Sequence, residues 1–196
     1  MKRGFTLIEL LIVIAILAVL ATAVTLVLNP VELIKQGRDA TRLSDLAAIN
    51  SAIALYLADV SDAGIGGANN TVCSSVLARC TYGSTENFEG ISSCTTNASS
   101  TVDGTGWVAV DFENISGNSP LSRIPIDPNN GSTNCGSGGE ACFYAYGCTG
   151  TEYELNAAME SVRYSNTGTS DVESTDGGDV AGVYEIGSSP NLTCCD

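Results

Sequence analysis

The sequence predicts an α+β chain in which a long N-terminal helix, membrane-spanning in its first half, packs its second half on a small antiparallel sheet with disulfide-stapled loops. Three observations carry this. Residues 10–31 are 22 uncharged positions in a row, mostly Leu, Ile, Val and Ala, between Glu9 and Glu32. Leu43, Leu46, Ala47, Asn50, Ile53, Ala54 and Leu57 then recur at helical spacing. Short alternating segments and all eight cysteines follow.

The first element is set by length. At about 1.5 Å per residue, the apolar run spans the roughly 30 Å of a bilayer core. Lys2 and Arg3 precede it, so the positive-inside rule keeps the N-terminus cytoplasmic and sends the rest across. A cleaved secretory signal fits poorly: the run exceeds the usual apolar region, and "LNPVELIKQ" follows with no small-residue cleavage site. An uncleaved anchor fits the length but leaves Glu9 without a purpose. A carboxylate costs about 2.5 to 3.5 kcal/mol at a helix centre in lipid, less near the interface.

The stretch "KRGFTLIELLIVIAILAVLA" resembles the N-terminal motif of the type IV pilin superfamily, which includes type II secretion pseudopilins. The resemblance implies a basic leader carrying Lys2 and Arg3, cleavage by prepilin peptidase after Gly4, and methylation of the new N-terminal amine on Phe5. Glu9 takes the place of the family's glutamate, able to pair with the amine of a neighbouring subunit. Attraction in low dielectric is offset by desolvation, so the pair sets register more than net stability. The implied function is structural and non-enzymatic: a subunit of a type IV pilus-like filament. Its partners would be copies of itself, prepilin peptidase, an inner-membrane assembly platform, and membrane lipid before assembly. The subunit would start as a single-pass inner-membrane protein and end in an extracellular fibre. A pseudopilin of a secretion machine is the alternative within the class. A membrane-anchored, disulfide-rich extracellular binding domain is the alternative outside it, and it has no use for Glu9.

Four regions are expected: leader 1–4, membrane and filament-core helix 5–28, amphipathic helix 29–60, and extracytoplasmic globular region 61–196. Pro30 would break a helix, but Asn29 as N-cap, Pro30 at the first position and Glu32 at the third make a plausible restart. Lys35, Arg38, Arg42 and Asp45 are assigned to the wet side of the second helix. Residues 61–106 are rich in Gly, Ser, Thr and Asn and read as a long irregular segment that needs staples. Strands are expected at "WVAVDF" (107–112), "CFYAYGC" (142–148), "TEYELNA" (151–157) and "VAGVYEI" (180–186), the middle two joined as a hairpin through "TG". "SRIPIDPNNG" and "YELNAAME" resemble the C-terminal part of major pseudopilins over roughly residues 119–160.

Charge and cysteine content narrow the function. The formal charge is −14, with 8 basic and 22 acidic residues. Such a surface repels phosphate, and no nucleic-acid partner is expected. Cys73, Cys80, Cys94, Cys135, Cys142, Cys148, Cys194 and Cys195 come without a C-x-x-C pair and without any histidine, which favours disulfides in an oxidising compartment over zinc. Connectivity stays open.

The absence of histidine also removes Ser-His and Cys-His nucleophiles. "GSGGEA" (136–141) spells a dinucleotide fingerprint but lies between cysteines rather than between strand and helix. Glu152 and Glu154 read as a solvated strand face. Five N-x-S/T sequons, at Asn69, Asn97, Asn114, Asn130 and Asn191, carry no glycan assignment. No cofactor is required, with one exception: Asp171, Asp176 and Asp179 in "DVESTDGGD" are hard oxygen ligands in a glycine-bearing loop and suit a structural Ca²⁺. Major pseudopilins hold calcium in a comparable C-terminal loop.

Overall fold

The computed structural model describes residues 4–67, 78–83, 94–136, 141–150 and 152–189. Helix α1 (Leu7–Leu28) and helix α2 (Pro30–Asp59) follow each other with one residue between them. That residue is Asn29, in the left-handed region at φ 38° and ψ 77°. Asparagine tolerates this conformation better than most residues. Pro30 sits at the first position of α2, as the sequence suggests, where its missing N–H costs nothing. Asn29 caps through its backbone rather than its side chain: its carbonyl accepts from the Glu32 and Leu33 amides at 3.0 and 3.3 Å.

Among the described residues, five strands form one mixed sheet: β1 (Ala78–Cys80), β2 (Cys94–Thr96), β3 (Tyr144–Thr149), β4 (Glu152–Ala157) and β5 (Tyr184–Gly187), in the order β2-β1-β3-β4-β5. The hairpin β3–β4 turns at Gly150, φ 59°. The β1–β2 pair is parallel, unlike the rest. These two strands fall inside the segment expected to be irregular. Each is only three residues long, and the Cys80–Cys94 disulfide ties them together. The segment 107–112 differs in the opposite sense. Trp107 to Val110 are all fully buried, so the chain there is sunk in the core instead of forming a half-wet strand, with a 3-10 turn at Phe112–Asn114.

Helix α2 lies on one sheet face. Leu46, Ile49, Ile53 and Tyr56 pack with Trp107, Tyr144, Tyr146, Tyr153 and Leu155. The buried face runs through residues 46, 49, 53 and 56, rotated from the expected stripe; Ala47 and Ala54 are exposed. Two sheet tyrosines keep their hydroxyls paired to the helix: Tyr144 donates to Asp45 at 3.0 Å and Tyr153 to Asn50 Oδ1 at 2.8 Å. The opposite sheet face is covered too, by Cys135, Ala141, Cys142, Phe143, Ala158 and Val183. That double cover explains why β3 is buried at five of six positions and why its sequence does not alternate.

Candidate functional site

The N-terminal end of α1 is the first candidate. Thr6 is the N-cap and Glu9 occupies the third helical position, forming a reciprocal capping box. Thr6 donates to Glu9 Oε2 from both its amide and its hydroxyl, each at 2.8 Å, and Thr6 Oγ1 accepts from the Glu9 amide at 3.3 Å. The T-x-x-E spacing is legible in the sequence, while the capping role of Thr6 emerges from the geometry. Phe5 and the apolar residues of Leu7–Thr25 are exposed, Phe5 at 86% and Leu7 at 82%. Leu7–Thr25 is long and apolar enough to cross a membrane, and none of it is buried against the rest of the chain. Two threonines keep the run free of unpaired polar atoms: Thr22 and Thr25 return their hydroxyls to carbonyls one turn back.

A second cluster fixes where the helix stands on the globular region. Arg42 is fully buried and not on the wet side, and Arg38 is part-buried. The Arg42 guanidinium forks onto Asp127 at 2.7 and 2.9 Å, and reaches Asp39 at 2.7 Å and Glu160 at 2.6 Å. Arg38 adds a second bidentate contact to Glu160. Asp39 in turn accepts the backbone amides of Glu160 and Ser161 at 2.9 and 2.8 Å. Burial pushes the Glu160 carboxyl up, but the hydrogen bonds from Arg38 and Arg42 outweigh it and hold it below the ordinary value. The "PIDP" and "AAME" segments therefore meet at one arginine. Burying this many charges is tolerable only because each is paired.

Two of the three aspartates assigned to calcium accept hydrogen bonds from their own loop and its neighbouring strand. Asp171 accepts amides from Thr167, Glu173 and Ser174 and the Ser174 hydroxyl. Those bonds, led by the Ser174 hydroxyl, hold its carboxyl below the ordinary value. Asp176 accepts the Gly178 and Glu185 amides at 3.0 and 2.6 Å, and Asp179 is exposed. Among the described residues, the close three-ligand group is Cys135, Cys142 and Glu160 instead. Its two sulfurs are joined as a disulfide.

Cys80–Cys94 and Cys135–Cys142 are bonded, and Cys148 is disulfide-bonded as well. Cys73, Cys194, Cys195, Asn69, Asn191, Lys2, Arg3 and most of "GSGGEA" lie outside the described residues. The remaining sequon amides are engaged. Asn97 donates to the Thr105 and Gly106 carbonyls, Asn114 to Asp111, and Asn130 to the Thr81 carbonyl. Glu152 is exposed as expected, but Glu154, on the same face, is buried.

An exposed apolar helix, headed by a capped glutamate and followed by a second helix that ion pairs hold to a disulfide-stapled α+β domain, is a candidate membrane anchor. Residues 1–25 match the family model of the prokaryotic N-terminal methylation motif. This is the prepilin-type cleavage and methylation motif of type IV pilins and pseudopilins, and it marks the chain as a pilin- or pseudopilin-like precursor processed by prepilin peptidase. Comparison with curated proteins and with solved structures finds no match.

Proposed function

We propose that this chain is the structural subunit of a type IV pilus-like filament, cut after Gly4, methylated on Phe5 and assembled through α1. The observation that supports this best is the juxtaposition of the methylation motif with a helix that is apolar on every side and uncovered over Leu7–Thr25. A helix hydrophobic all round belongs in a bilayer or in a bundle. Before assembly the helix sits in the inner membrane, with the Thr6 donors satisfying the Glu9 carboxylate. In the fibre Glu9 turns to the methylated amine of a neighbouring subunit, and close packing of the Leu and Ile side chains supplies the cohesion. A role in a surface pilus, rather than in a secretion pseudopilus, is favoured by the eight cysteines, which suit a surface held in the medium.

Electron microscopy of sheared surface fractions tests the reading. Fibres that contain this chain support it. A chain that stays in the membrane fraction, with assembly machinery and other pilins present, contradicts it.

A further inference from the structure

The connection between β4 and β5 turns round at the end of the domain nearest α1. β4 runs along α2 toward the N-terminal end of that helix: the Tyr153 hydroxyl meets Asn50, and seven and eight residues later the Glu160 and Ser161 amides meet Asp39. β5 then runs back antiparallel to β4. The arginine clamp on Glu160 fixes this register. At about 1.5 Å per residue, Asp39 lies no more than about 15 Å from Asn29, whatever the angle between the helices. Between the two, Val31, Leu33 and Ile34 are exposed at 61%, 52% and 58%, and Lys35 follows. An apolar turn ending in a lysine suits the margin of a bilayer, where a long stem keeps its charge in the headgroup layer.

The first turn of the connection holds an apolar and a basic side chain outward. Val162 is 77% exposed, more than any other large apolar side chain beyond α1 among the described residues. Arg163 is exposed beside it, with its guanidinium 5.4 Å from the centre of the Tyr164 ring and its Nε donating to Ser170 Oγ at 3.1 Å. It makes no salt bridge among the described residues. The turn is not slack. The Ser161 carbonyl accepts the Ser165 amide and hydroxyl, the Arg163 carbonyl accepts the Ser170 amide, and the Tyr164 carbonyl accepts the Val172 amide. A Cβ at Gly168 would strike the carbonyls of Val162 and Arg163. Residues 161–170 contain no acidic group and a single basic one, Arg163, in a chain of net charge −14. A lone exposed valine is ordinary on a protein surface. This one shares a fixed turn with an arginine and a tyrosine, residue types that suit the headgroup layer.

We propose that the turn Val162–Arg163–Tyr164 is a second membrane contact of the subunit before assembly, Val162 entering the headgroup layer and Arg163 binding lipid phosphate. The proposal rests on α1 spanning the bilayer. An acidic domain is repelled by anionic lipid, and this turn presents to it a surface without acids. Extraction of the subunit from the membrane breaks the contact.

The test uses the full chain in vesicles of phosphatidylglycerol and phosphatidylethanolamine, with bromine placed on the acyl chains either near the headgroup or deep in the core. Trp107 is the sole tryptophan and is fully buried, so the parent chain supplies the fluorescence background. Val162→Trp should emit at shorter wavelength in vesicles than in detergent-free buffer with the lipid omitted, and should be quenched by shallow bromine more than by deep. Leu17→Trp, in α1, should be quenched by deep bromine. Arg163→Glu added to Val162→Trp should cut the shallow quenching by roughly half or more, with the melting temperature unchanged. An unquenched Val162→Trp beside a quenched Leu17→Trp overturns this proposal alone, and the absence of quenching in both overturns the membrane anchor with it. A Val162→Trp shift that follows the protein-to-lipid ratio and ignores bromine assigns the turn to a second copy of the chain and also overturns the proposal.

Discussion

Helix α1 and helix α2 adjoin at Asn29 yet invert the usual relation between polarity and burial. In α1 nearly every residue is apolar, and none of Leu7–Thr25 is covered by the rest of the chain. In α2 the composition is far more polar, and the buried set includes Asp39 and Arg42 beside Leu46 and Ile49. The difference shows which contacts each helix awaits. α2 has found its partners within one chain, where the carboxylates of Asp39, Asp127 and Glu160 converge on Arg42. α1 has not, and its one ionisable group is satisfied by a residue three positions away. Folding completes α2 and leaves α1 exposed.

The largest effect that sharpens this contrast is expected at Glu9. Glu9→Gln removes the charge while keeping size and helix propensity. Membrane insertion and the fold of the outer domain should persist, while fibres in the sheared fraction fall to a small fraction of the parental yield. Fractionation of cells carrying the variant reads both. Normal fibre yield would mean that Glu9 only snorkels to the interface.

Arg42 is its counterpart in α2. Arg42→Ala leaves buried carboxylates without their common partner, a loss of about 3 to 5 kcal/mol for this kind of pair. Urea unfolding of the solubilised chain should register it, and insertion of α1 should be unaffected. A loss no larger than that of an exposed substitution would break the claim that the clamp orients the domain.

A smaller, graded effect should come from acid. The folded Glu160 carboxyl lies below its ordinary value of 4.5, so its contribution to stability is present above that pH and is lost as the pH falls through the folded value. The melting temperature should therefore drop below about pH 4.5. Glu160→Gln should flatten that part of the profile. An equal acid slope in the variant would place the lability elsewhere.

Much of this was legible because it rests on local pattern. The apolar run, the Asn29–Pro30 join and the β3–β4 hairpin follow from composition, proline geometry and a Thr-Gly turn, all of which act over a few residues. What the sequence concealed depends on distant partners. Arg42 reads as a wet-side residue because two of its three carboxylates are 85 and 118 positions away. Glu154 reads as solvated because nothing local says that a loop and a disulfide cover the second sheet face. The strands β1 and β2 are too short for a periodic signal and depend on a disulfide across 14 positions. At the N-terminal site, the glycine, aromatic residue and glutamate stood out, while the capping role of Thr6 needed geometry.

The most direct measurement is the intact mass of the subunit recovered from its native membrane or fibre. A chain that begins at Phe5 and is one methyl group heavier than the unmodified mature sequence is the expected result. A subunit that retains Met1, or begins at any residue other than Phe5, would contradict the assignment of Gly4 and Phe5, and with it the pairing of Glu9 to a neighbour's amine.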